Sequence, residues 1–208
     1  MNQVSEAVSK KPWNAGKSVG QKKPFTPRQI EMLKEFLGNA GKVKELALFS
    51  LGIDSMLRCS DLLKLTVQDV SDFKGKIKPT IQLRQKKTSQ GHQVRIGKGA
   101  IKALEDLIRK EKKFEDDFLF TTERYPRKAM GRGYYTKLLK GWCSYLHLDA
   151  RDYSTHSIRR TRASIVYKQT GNIEAVRQLL GQKSVTSTSA YLNLSQNQAL
   201  DIYEDFLD

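Results

Sequence analysis

Apolar side chains recur at three- and four-residue intervals along most of this 208-residue chain, and the rhythm shortens to two only within residues 77–96. A 3.6-residue period builds a helix with one apolar stripe, and a two-residue period builds a strand with one apolar face. Only a small sheet fits such a pattern. The expected class is therefore α+β, mainly α, with helices around a small antiparallel β-sheet. Thr26 and Pro27 open the first helix as N-cap and first helical residue, ahead of the stripe Ile30, Leu33 and Leu37. Further helices are expected from Val43 toward Leu51, over 60–65, from Ile101 to Lys113, and near 132–147, 156–169, 172–180 and 184–193. The β-branched runs at 77–83 and 93–96 flank Lys86-Lys87-Thr88-Ser89-Gln90-Gly91, which predicts a hairpin with a polar, basic turn. A short strand is expected at Phe118-Leu119-Phe120.

Residues 1–24 carry Lys10, Lys11, Lys17, Lys22 and Lys23 against Glu6 alone, with few apolar side chains. They read as a flexible basic arm. Residues 25–195 then form one folded domain, for which 38% hydrophobic content supplies a core. Residues 196–208 set Ala199, Leu200, Ile202, Tyr203, Phe206 and Leu207 among four acids. That terminal helix is expected to dock on a neighbouring subunit or to fold back as a lid.

The formal net charge is +15, from 37 Lys and Arg against 22 Asp and Glu. Such an excess favours a polyanionic partner over a small substrate, and nucleic acid is the first candidate. The acids are also absent from whole stretches, 73–104, 124–148, 153–173 and 175–200, which points to a continuous phosphate-binding surface. No run approaches the ~20 apolar residues that span a bilayer, and LALFSLGI is broken by Asp54. No membrane association and no secretory leader are expected, which puts the chain in the cytoplasm with its nucleic acid. Cys59 and Cys143 lack metal-ligand or redox spacing, so reduced thiols, no metal and no cofactor are expected.

Four segments stand in order: Arg58-Cys59-Ser60-Asp61-Leu62, Lys87 in the hairpin turn, His156-Ser157-Ile158-Arg159, and Leu180-Gly181-Gln182 running on to Tyr191. Nine residues lead from Gln182 to Tyr191 and seven from Lys87 to Val94. From Thr26 to Leu194 the chain resembles the tyrosine recombinases, also called the phage integrase family. The resemblance implies site-specific recombination of double-stranded DNA through a 3′-phosphotyrosyl bond, with neither ATP nor metal. Tyr191 would be the nucleophile. Transesterification puts extra charge on the non-bridging phosphate oxygens, and Arg58 and Arg159 are the permanently charged, planar groups suited to clamp them. A phenol with a pKa near 10 is a poor nucleophile, and His156 would take its proton or hold it in line. Lys87 would protonate the leaving 5′-oxygen. Lys86, Arg95, Arg160 and Lys183 are expected on the DNA backbone, and His92 and His147 are left as structural.

The pattern departs from the family in three places. Gln182 stands where histidine or tryptophan is usual, and loss of a charge-assisted bond there should cost about 1 kcal/mol, or ~10-fold in rate. Arg160 replaces a common histidine, as an added phosphate contact. Most relatives carry a core-binding domain ahead of the catalytic one, whereas about 25 residues precede it here, and the lysine arm is expected to grip DNA instead. The implied partners are DNA, further copies of the chain in a synaptic tetramer, and accessory DNA-bending proteins. Two other readings use the same residues: a relative that only occupies DNA, and a type IB topoisomerase that relaxes supercoils.

Overall fold

A computed structural model describes residues 21–84 and 91–192. Lys86, Lys87, the lysines before residue 21 and the terminal helix expected at 196–208 lie outside the described residues. The described chain is mainly helical with two small antiparallel sheets. No helix in it is long and apolar enough to cross a membrane.

Helix α1 (Pro27–Asn39) starts in a capping box, Thr26 Oγ1 accepting from Gln29 N at 3.3 Å and Gln29 Oε1 accepting from Thr26 N at 2.8 Å. Its stripe of Ile30, Leu33 and Leu37 is buried as expected. Helix α2 (Val43–Ser55) is the hub, because Ala47, Leu48, Phe49, Leu51 and Ile53 point in several directions and all are buried. It ends at Met56 in the left-handed region, φ 50°. Two short helices follow, α3 (Cys59–Leu62) and α4 (Val67–Val70). Strands β1 (Thr80–Arg84) and β2 (Gly91–Arg95) pair with Ile81 opposite Val94. Helix α5 (Lys98–Glu111) packs on α2. Strands β3 (Thr121–Thr122) and β4 (Tyr125–Ala129) lead into α6 (Arg132–Tyr145), and a 3-10 turn at Ala150–Asp152 precedes α7 (Thr155–Thr170), α8 (Ile173–Leu180) and α9 (Val185–Leu192).

Three expectations shift. The helix expected at 60–65 stops at Leu62, because Leu65 O is taken by Leu119 N at 2.8 Å and Thr66 bridges Phe118. The first strand starts at Thr80 instead of 77, since Ile77 bridges Ser71 and Pro79 lacks the N–H a ladder needs. Phe118-Leu119-Phe120 carries only that isolated bridge, and the ladder forms one step later between β3 and β4.

What positions the last three helices is the contact of α7 with α2. A Cβ on Gly52 would meet Ile158 Cγ2 at 2.8 Å, so the helices cross at a point only glycine allows. Ile158 thereby belongs to the main core, while Ala163 on the same helix belongs to a second cluster with Met56, Val176, Leu180 and Leu192. Helix α7 is thus the joint between the core and the α8–α9 pair. Asp54 locks it: Oδ1 accepts from Arg162 Nη2 at 2.6 Å and Oδ2 from Gly97 N at 2.9 Å, with the carboxylate side chain 8% exposed. Asp54→Ala orphans both donors, one of them on a partly exposed arginine, and should lower the unfolding free energy by about 2 kcal/mol in urea titration. A change within ~0.5 kcal/mol would show that water replaces the carboxylate.

Candidate active site

The first turn of α7 is shaped by Ser154, whose Oγ accepts from His156 N at 3.2 Å, while Ser157 Oγ accepts from Ser154 N at 3.0 Å. That reciprocal cap sets His156 at the second helical position and Arg159 three residues further on, neighbours on one side of the helix. Arg159 is 4% exposed, and its Nη2 donates to Leu180 O at 2.7 Å, at the last residue of α8. The cation therefore sits where that helix ends and its carbonyls need donors. Gly181 makes the ending possible, turning left-handed at φ 60° so that Gln182 N reaches back to Arg177 O at 3.0 Å. Ser184 then accepts from Ser187 N at 3.2 Å to start α9, which carries Thr188 and, three residues on, Tyr191.

These turns bring the ends of the motif together. Tyr191 Oη donates to the backbone carbonyl of His156 at 3.4 Å, and the Arg159 guanidinium is near enough for its charge to act on the phenol. Arg160, 8% exposed, sits beneath the tyrosine rather than on the outer surface: its Cζ is 6.0 Å from the Tyr191 ring centre and its Nη1 donates to Lys22 O at 2.9 Å. Residues 21–24 thus lie against the domain, with Lys23 paired to Asp152 at 2.7 Å. Arg58, half-buried at the start of α3, is close enough for its charge to act on His156, Arg159 and Tyr191. Gln182 is held by Thr188, whose Oγ1 donates to Gln182 Oε1 at 2.7 Å. Arg95 on β2 and Lys183 on the turn before α9 are exposed. Lys86 and Lys87 fall between residues 85 and 90, outside the described segment.

Two groups in this neighbourhood escaped the sequence pattern. Arg132, at the start of α6, is the largest charge influence on His156. Thr188 is the other, a helix residue fully buried beside the motif glutamine. The acid-free stretch 124–148 contains the arginine but does not single it out.

The electrostatics suit an anion that carries a reacting oxygen. Burial pushes the Tyr191 phenol up, and Arg159, Arg160 and Arg58 pull against it. Partial desolvation lowers the His156 imidazole, exposed though the residue is, and Arg132, Arg159 and Arg58 push the same way, which favours the neutral form able to take a proton. Burial lowers Arg159 too, yet a guanidinium stays charged at any physiological pH. Its Nη1 is buried with no partner, and so is Arg160 Nε. Buried donors on cations are costly when unmet, and a phosphate oxygen is the acceptor that matches their charge. Among the described residues no cluster of three or more His, Cys, Asp or Glu is placed to hold a metal.

The His156 ring should therefore titrate below the usual value of about 6.5 in an NMR titration, and Arg132→Ala should move it up. The sign follows from charge: removing a cation makes protonation easier. A titration at or above 6.5, or one insensitive to Arg132, would contradict this balance.

Comparisons with known proteins give the family and the fold. The probable integrase/recombinase YoeC of Bacillus subtilis (strain 168) is 26% identical over 178 residues, covering 86% of this chain and 92% of YoeC. Tyrosine recombinase XerC of Caldanaerobacter subterraneus subsp. tengcongensis is 25% identical over 179 residues, 84% of this chain but 48% of XerC. The XerH site-specific recombinase, solved bound to a palindromic difH substrate after cleavage, superposes with a TM-score of 0.72 at 16% identity, over 91% of this chain and 55% of XerH. The chain thus spans nearly all of YoeC and about half of the two Xer proteins, and its mainly helical fold with small antiparallel sheets is the one that superposes on XerH. The model of the Phage integrase family matches residues 23–198, a stretch that holds Arg58, His156, Arg159, Gln182 and Tyr191, and the chain belongs to that family, the tyrosine recombinases.

Proposed function

We propose that this chain is a site-specific DNA recombinase that cuts and rejoins strands through Tyr191. The observation that carries the reading is the Tyr191 hydroxyl on the backbone carbonyl of His156, the first residue of the motif whose last, Arg159, is a buried guanidinium that keeps one nitrogen unpartnered and whose charge acts on the phenol. In the forward step the phenolic oxygen bonds to phosphorus and the bond to the 5′-oxygen breaks. His156 takes the phenol proton, Lys87 gives one to the leaving oxygen, and Arg58 and Arg159 hold the two non-bridging oxygens. Gln182 donates a neutral hydrogen bond to the same phosphate. The 3′-phosphotyrosyl bond keeps the energy of the phosphodiester, so attack by another strand's 5′-hydroxyl reverses the step without ATP.

XerH is a recombinase solved on its DNA substrate, and double-stranded DNA is the substrate we carry over to this chain. Arg95, Lys183 and Lys86 would touch the flanking backbone. Arg160 contributes to the phosphate site from beneath the tyrosine, through the Nε that the protein leaves unpaired. The lysines of residues 1–24 would add backbone contacts, and residues 196–208 would dock on a neighbouring copy in a synaptic tetramer, with DNA-bending proteins assisting.

A duplex nicked so that the cut strand loses its 5′-hydroxyl fragment tests the cleavage. The expected result is a denaturant-stable adduct blocked at the DNA 3′-end, with little relaxation of supercoiled plasmid lacking a recombination site. No adduct would leave a chain that only occupies DNA, and efficient relaxation of any supercoiled DNA would make it a topoisomerase.

A further inference from the structure

Thr188 has no part in the chemistry above, yet it is fully buried on the nucleophile's own helix. A buried threonine in a helix ordinarily satisfies its hydroxyl on the carbonyl four residues back. That contact exists here, to Ser184 O at 3.2 Å, but the shorter bond, 2.7 Å, goes to Gln182 Oε1. The hydroxyl has one proton, and the geometry gives it to the glutamine. This matters because a side-chain amide has two unlike ends. Its NH2 donates to a phosphate oxygen, and its carbonyl, turned the same way, would repel one. A glutamine hinged on three rotatable bonds would sample both orientations. With Oε1 engaged by Thr188, the NH2 is the end of the amide left to donate elsewhere. The backbone of the same residue is held as well, Gln182 O accepting from Arg177 Nη1 at 2.6 Å and Gln182 N donating to Arg177 O at 3.0 Å.

We infer that Thr188 is a positioning residue: its hydroxyl locks the Gln182 amide with the NH2 toward the scissile phosphate and ties that amide to the helix that carries Tyr191. The inference rests on the cleavage reading. It also gives the uncharged Gln182 a means of acting as a dependable donor, since the orientation cost is met before DNA arrives.

The test is single-turnover adduct formation on the nicked duplex, with DNA affinity and melting temperature measured on each variant. Thr188→Val, which keeps the shape and removes the hydroxyl, should slow cleavage about ten-fold while DNA affinity holds. Thr188→Ser should recover most of the rate. Gln182→Ala should cost a similar factor, and the double variant no more than the single ones, because both remove one donor. Thr188→Ala takes the place of Val should Val fail to fold. Cleavage by Thr188→Val at the parental rate, a serine no better than valine, or penalties that multiply in the double variant would each overturn the lock. Failure of the parent chain itself to form an adduct would overturn the cleavage reading and this inference with it.

Discussion

Tyr191→Phe is expected to give a folded protein that binds DNA with undiminished affinity and forms no covalent adduct, a loss beyond ~10⁴-fold in strand cleavage. The separation of effects follows from how the residue is held. Its ring packs against the small cluster of Met56, Ala163, Val176, Leu180 and Leu192, and lies near Arg160, contacts that phenylalanine keeps. Its hydroxyl makes a long bond of 3.4 Å to the carbonyl of His156, which is weak enough to be given up when the oxygen turns to phosphorus. Losing that bond should cost less than about 1 kcal/mol of stability. The cations that would hold the phosphate are untouched, so affinity should stay. Adduct trapping on the nicked duplex, beside urea unfolding and a binding titration, checks all three. An adduct that persists in the phenylalanine variant would mean another nucleophile. A variant that unfolds would make Tyr191 a packing residue first.

How far the sequence foretold this site depended on what each feature answers to. The start of helix α1 was legible because Thr26, Pro27 and the Ile30–Leu33–Leu37 stripe are local signals that act within a few positions. Helices α7, α8 and α9 fall near the spans expected for them, with α8 ending on the glycine of the Leu-Leu-Gly turn, Gly181, in the left-handed region. Strand β4 was not, since Tyr125–Ala129 is almost wholly exposed and shows no apolar alternation to read. The contents of the site divide in the same way. Arg159 and Tyr191 were found through the order of their motifs, but the direction of each side chain is set by tertiary contact. Arg160 is expected from the sequence as an added phosphate contact, and no local pattern says what packs over it. The strap at residues 21–24 covers that side of the helix and turns it into a buried support for the tyrosine, its Nη1 bonded to Lys22 O. Arg132 is brought beside His156 by the packing of α6 against α7, which no local pattern encodes. Gln182 looked only like a weakened ligand, because nothing in the spacing of six residues says that the hydroxyl of Thr188 would face its amide.

Arg159→Lys is the second large effect, and it separates the shape of the cation from its charge. The guanidinium is a fork with two ends: Nη2 holds Leu180 O at 2.7 Å, and Nη1 stays buried and unpartnered. A lysine ammonium is a single point on a flexible stem and can serve the carbonyl or the phosphate, but not both with the same geometry. Cleavage should fall about 10³-fold, near the 4 kcal/mol that a lost transition-state donor costs in a dry site. The Leu180–Gly181 turn should loosen as well, lowering stability by about 1 kcal/mol. DNA affinity should change little, because net charge is kept and affinity sums over many phosphates. This pattern, rate lost and binding kept, distinguishes a transition-state contact from a general attraction for DNA. If Arg159→Lys cleaves within ten-fold of the parent, the fork matters only for holding the end of α8, and Arg58 carries the phosphate charge instead. Should affinity fall as steeply as rate, Arg159 is binding the ground state as tightly as the transition state, and its buried position adds nothing to the chemistry.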